Sequence, residues 1–158
     1  MKKVLGCYNN GSMFIEVNSE SEMKVFGSKL GSLLSGGEVI ELIGDVGSGK
    51  TTLVKGIARG LNVDDDVQSP SFTISRVYSA RDDLTLAHYD FYRLSDPGIM
   101  KNELQENLND DKTITVIEWG GVIGGILPSR RLTIEFNTPS ESMRQLNISG
   151  DKDIMEKL

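Results

Sequence analysis

The sequence predicts an α/β sandwich, a central mixed sheet flanked by helices with antiparallel strands added to it. Three observations carry this. The apolar run from Val39 to Ile43 is short, rich in β-branched residues and broken only by Glu41, the pattern of a buried strand. The segment from Lys50 to Leu61 then places Leu53, Ile57 and Leu61 on one helical face. Further on, "TITVIEW" (113–119) repeats the buried-strand pattern, whereas other runs alternate as half-exposed antiparallel strands do.

Taken in order, "SMFIEV" (12–17) is a short edge strand. Ser19 with Glu22 three residues on forms a capping box, which opens a helix carrying Met23, Phe26, Leu30, Leu33 and Leu34 on one side. Gly36-Gly37 ends it. After the strand Val39–Ile43 and the helix from Lys50 comes an acidic connection, "NVDDDVQSPS". The alternating runs "FTISRVYS" (72–79) and "LTLAHYDFYRL" (84–94) flank the link "ARDD" and predict a hairpin. Pro97-Gly98 punctuates the next start, and Ile99, Leu104 and Leu108 recur at helical spacing. "RLTIEF" (131–136) and "RQLNIS" (144–149) close the chain as an antiparallel pair.

The bulk properties set limits. A chain of 158 residues, 38% hydrophobic and 25% charged, reads as one domain spanning residues 1–158. The formal charge of −6 argues against a protein that grips nucleic acid alone through a broad basic surface. The pair Arg130-Arg131 reads as a solvated face. Cys7 is the only cysteine, which excludes an internal disulfide and a thiolate-rich zinc site. "MKKVLGC" resembles a lipoprotein cleavage site but lacks the roughly 7–15 apolar residues of a signal peptide. No run approaches the roughly 18 apolar residues of a membrane span. A cytoplasmic location without membrane contact is expected.

The connection Gly44-Asp45-Val46-Gly47-Ser48-Gly49-Lys50-Thr51 fits G-x-x-x-x-G-K-[ST] in full, between the strand and helix that this motif requires. Glycines let successive N–H groups converge on a phosphate, and the helix start adds partial positive charge. Lys50 is placed to reach β- and γ-phosphates, and the Thr51 hydroxyl to ligate Mg²⁺. The loop is read as holding a nucleoside triphosphate, which makes the fold P-loop NTPase-like. Such a protein needs a second acid for the metal or its water. Glu118 ends the run Ile114–Ile117, and Asp90 ends the alternating run from Leu84; either fits. His88, the only histidine, shares the face of Asp90 and is left unassigned. "SPSFT" (69–73) suits a loop that orders on the γ-phosphate, with an ordinary turn as the alternative.

"GDVGSGKTT", "SPSFTI", "HYDFYRL", "IEWG" and "ILP", in that order and spacing, resemble the TsaE family. These are small bacterial ATPases of the pathway that installs threonylcarbamoyl on adenosine of certain tRNAs. The resemblance covers residues 17 to 146. It implies ATP and Mg²⁺ as cofactors, with the nucleotide held by Asp45, Val46, Gly47, Ser48, Gly49, Lys50, Thr51 and Thr52. Mg²⁺ falls to Thr51 and Glu118, activity to Lys50, Asp90 and Glu118, and a switch-like contact to Thr73. The implied partner is the TsaD–TsaB heterodimer, through which alone tRNA would be met. "EWGGVIGG" departs from the more polar stretch usual there, and segments 19–22 and 141–144, where the family approaches adenine, match loosely and receive no assignment.

The alternative is a small P-loop nucleoside or metabolite kinase. Such kinases normally add arginines and a lid, for which this chain has little length. A GTPase would want an N-K-x-D segment, and the sequence has none. A non-catalytic nucleotide sensor is the remaining reading.

Overall fold

The computed structural model describes residues 11–158; Cys7 and the "MKKVLGC" segment lie outside them. Seven strands form one sheet: β1 (Ser12–Val17), β2 (Val39–Ile43), β3 (Ser75–Ser79), β4 (Thr85–Asp90), β5 (Thr113–Glu118), β6 (Leu132–Asn137) and β7 (Arg144–Gly150). Their order is β1-β7-β6-β2-β5-β4-β3. The four central strands β6, β2, β5 and β4 run parallel, and antiparallel strands are added on both sides. β1 is an edge strand, as its sequence predicts, and β6–β7 is the expected antiparallel pair. Among the described residues no helix is long and apolar enough to cross a membrane.

Helices α1 (Glu20–Leu33), α2 (Lys50–Gly60) and the short α4 (Lys152–Met155) cover one face of the sheet. α3 (Met100–Leu108) covers the other through Leu104. α1 opens on the predicted cap: Ser19 Oγ accepts from Glu22 N at 3.1 Å, and the Glu22 carboxylate accepts from Asn18 N at 2.8 Å. In α3 the expectation fails at Ile99, which caps the helix start and stands 85% exposed. Leu104 carries the packing, and the Tyr89 hydroxyl ties the helix down by donating to Glu103 and accepting from Asn107.

Two predicted strands are shorter than their alternation suggests. β3 begins at Ser75 because residues 71–74 turn, with Thr73 N and Ile74 N both donating to Pro70 O. Phe72 is fully exposed rather than packed. β4 stops at Asp90 because its Oδ1 accepts from Tyr92 N, a side-chain turn that diverts the backbone. The hairpin between them is as expected, with positive φ at Asp82 and Asp83.

Of the two arginines read as a solvated face, Arg130 is exposed as expected, whereas Arg131 is half-buried; both make ion pairs. Arg131 Nε donates to the buried Glu41 at 2.7 Å, which accounts for a carboxylate in the middle of β2. Arg130 reaches Asp151 and Asp153 at 3.0 and 2.8 Å and so braces α4, a helix that its four-residue length hid from the sequence.

α2 approaches α1 closely because glycines face each other. A Cβ on Gly27 would lie 2.6 Å from Leu53 O, and one on Gly56 2.6 Å from Lys24 O. Gly31 and Gly60 make the same kind of contact one turn along. Gly56→Ala should therefore cost about 1–3 kcal/mol by overpacking, despite alanine's higher helix propensity. Thermal unfolding should show a midpoint lower by about 2–10 °C; an unchanged midpoint would mean the helices can part freely.

Candidate functional site

The site lies where the parallel strands end. β2 delivers the chain into the loop 44–49, and α2 carries it away. Gly47 and Gly49 have φ of +80° and +104°, conformations that a side chain rarely adopts and that turn the loop back on itself. Gly49 caps α2 without any side-chain bond, so the first N–H groups of the helix face outward unclaimed. α1 and α4, in contrast, are capped by Ser19 and Asp151.

Lys50 is only 5% exposed. Its Nζ donates to Gly44 O at 2.7 Å and Asp45 O at 2.8 Å, and lies 5.0 Å from the centre of the Trp119 ring. Burial lowers the ammonium's pKa, and the carboxylates of Glu118, Asp90 and Asp45 oppose that shift.

Those acids come from neighbouring strands. Asp90 and Glu118 are register partners across the parallel β4–β5 ladder, and both are buried. Asp90 Oδ2 accepts from Ser71 Oγ at 3.0 Å and Ser69 Oγ at 3.4 Å, while Oδ1 takes Tyr92 N. Glu118 Oε1 lies 2.8 Å from His88 Nε2.

These groups line one cleft of about 720 Å³ that includes Lys50, Thr51, Thr52, Ser71, Asp90 and Glu118. Trp119 and Tyr92 form its aromatic wall, their rings 4.9 Å apart, and Arg93 lies 4.9 Å over Tyr92. Val46, Gly47 and Gly49 are on the rim, whereas Asp45 and Ser48 meet the site by bonding Lys50. Thr73 stands outside it: its hydroxyl donates to Ser75 O, and Ser69 and Ser71 are the hydroxyls that reach Asp90.

Arg144 is a residue that sequence reasoning missed. Its guanidinium donates to Ser48 O at 3.0 Å and Gly47 O at 3.3 Å, and also to the carbonyls of Ser140, Glu141 and Met143. It ties the β6–β7 connection to the back of the glycine loop. A second recess, about 440 Å³, lies beside the first and joins Ser19, Glu20, Gly47, Thr52, Glu141 and Arg144. The one pointer in the sequence was the loose resemblance of segments 19–22 and 141–144 to those where the TsaE family approaches adenine; no residue type marked it.

A mixed sheet with a glycine loop at the carboxyl ends of its parallel strands, feeding a helix, defines a P-loop NTPase-like α/β protein. The model of the family described as "Threonylcarbamoyl adenosine biosynthesis protein TsaE" matches residues 17–146. Proteins described as tRNA threonylcarbamoyladenosine biosynthesis protein TsaE are similar over most of their length. That of Treponema pallidum is 34% identical over 78% of this chain and 90% of its own. That of Streptomyces coelicolor is 35% identical over 81% and 90%, and that of Bacillus subtilis 33% over 85% and 82%. The crystal structure of Bacillus subtilis YdiB superposes with a TM-score of 0.74 at 26% identity, covering 92% of this chain and 93% of that one. The chain belongs to the TsaE family.

Removing the Arg144 guanidinium should loosen the loop without unfolding the sheet. In Arg144→Ala, amide hydrogen exchange at residues 46–49 should speed up by about tenfold, while β2 and β5 stay protected. Unchanged exchange at the loop would show that the glycine backbone holds itself.

Proposed function

We propose that this chain binds and hydrolyses ATP with Mg²⁺ in support of the complex that transfers threonylcarbamoyl to adenosine of tRNA. The observation that carries the reading is the gathering of Lys50, Asp90 and Glu118 around the uncapped start of α2 in one cleft. The membership of the TsaE family supports the pathway, and the TsaD–TsaB heterodimer is the partner this implies. The net charge of −6 agrees with tRNA being held by the partners rather than here.

The residues fit the part. Unclaimed N–H groups at the α2 start and loop suit phosphate oxygens, and Lys50 would exchange its bonds to Gly44 and Asp45 for β- and γ-oxygens. The Thr51 hydroxyl and the Glu118 carboxylate, both lining the cleft, are the hard oxygen donors that suit Mg²⁺. Among the described residues no group of three or more His, Cys, Asp or Glu would hold a metal by itself, which agrees with a cation bound jointly with phosphates. When bound, the metal would neutralise charge on the β- and γ-oxygens.

If Glu118 held the metal, Asp90 would be the acid that orients an attacking water. Its bonds to Ser69 and Ser71 couple that carboxylate to the segment 69–74, so an occupied cleft and an ordered segment favour each other. The recess beside Arg144 is where the ribose and base would extend.

Lys50→Ala should weaken ATP binding by calorimetry and lower hydrolysis by about 10²-fold or more, while Glu118→Gln should spare binding and lose Mg²⁺-dependent turnover. Wild-type affinity in Lys50→Ala would sink the reading.

The chain alone should be a slow ATPase. The cleft's Arg93 rests over Tyr92, and an arginine supplied by a partner is worth about 10³–10⁵ in turnover in related enzymes. Phosphate release should rise on adding TsaD–TsaB from the same organism. Equal rates, with the complex shown to form, would leave a self-sufficient ATPase, and a phosphorylated acceptor would establish a kinase instead.

A further inference from the structure

The geometry points to His88 as a positioning residue that orients the Glu118 carboxylate toward the divalent cation through the bond between Nε2 and Oε1. This rests on the reading of Glu118 as the metal-side acid.

His88 is fully buried and lies 2.8 Å from Glu118, itself 3% exposed. A carboxylate only accepts, so with Glu118 ionised Nε2 carries the donated proton. The other ring nitrogen, Nδ1, is buried and has no partner among the described residues. A ring chosen for packing alone would be a poor choice here. Leucine or methionine would fill the space beside Leu86 and Val116 without burying an unpaired polar atom. What the imidazole supplies and an apolar side chain cannot is the single bond to Glu118.

The sheet explains how the bond arises. His88 and Asp90 are two residues apart on β4 and share a face. Asp90 is in register with Glu118, and His88 with Val116, so His88 sits one pleat behind and reaches forward to the carboxylate. With Oε1 bonded to His88, the other oxygen is the one left for the cleft, which Glu118 lines together with Lys50 and Thr51. Without that bond the carboxylate is free to rotate toward the Lys50 ammonium, whose charge it already feels. Groups that bond a metal-binding side chain from behind typically change metal affinity by about 10–100-fold.

The test compares ATP affinity of the full chain in Mg²⁺ and in EDTA, by calorimetry, for wild type, His88→Leu and His88→Gln. The ratio of the two dissociation constants measures what the metal adds. His88→Leu should keep the EDTA affinity within about twofold and lose about 10–100-fold of the ratio. His88→Gln, whose amide can donate where Nε2 does, should restore most of it. General structural damage would weaken binding in both conditions and would not respond to glutamine. Should His88→Leu fail to fold by circular dichroism, His88→Asn takes its place, since its shorter amide cannot span the gap. An unchanged ratio in the variants lacking the donor, or a glutamine variant as impaired as leucine, overturns the inference while leaving the metal site standing. A wild-type ratio of one overturns the reading of Glu118 as a metal-side acid, and this inference with it.

Discussion

The Lys50 ammonium is a cation taken almost wholly out of water, and the carboxyl edge of the sheet is organised around keeping it satisfied. Burying a charge costs several kcal/mol unless partners replace the lost hydration. Here the carbonyls of Gly44 and Asp45 bond it, the Trp119 face lies against it, and the fields of Glu118 and Asp90 offset its desolvation. The dependence runs both ways. Two buried acids side by side on adjacent strands would repel one another without a cation near them.

That charge cluster is held in place by packing some distance away. Lys50 begins α2, and the position of α2 is set by its glycine-lined crossing with α1. Four parallel strands then bring the loop after β2 and the ends of β4 and β5 to the same edge. Arg144 closes the arrangement from the opposite side of the loop. Rigid elements thus supply the cleft's floor, and the segment 69–74, which carries the fully exposed Phe72, supplies a wall that bonds Asp90 through the hydroxyls of Ser69 and Ser71 and the carbonyl of Ile74.

Much of this was legible in the chain because local rules determine it. The apolar run of β2, the capping box at Ser19 and the glycine-lysine loop each follow from the requirements of a few adjacent residues, and the structure places strand, cap and loop accordingly. The antiparallel pair β6–β7 was readable for the same reason. Alternation misled at 72–74, where a backbone turn onto Pro70 O diverts the chain, and at 91–94, where Asp90 Oδ1 bonds Tyr92 N; periodicity carries no information about such bonds.

What the sequence determined by itself was therefore the class of fold and the glycine-lysine loop between its strand and helix, since each is written in neighbours along the chain. What only the tertiary structure decided was which groups meet across it. Arg144 reaches the loop from 96 positions away, Arg131 neutralises Glu41 from 90, and His88 bonds Glu118 from 30. Such pairs are fixed by strand order and register, which a one-dimensional pattern does not encode. An isolated arginine or histidine looks the same in sequence whether it faces water or a buried partner; burial alone tells them apart.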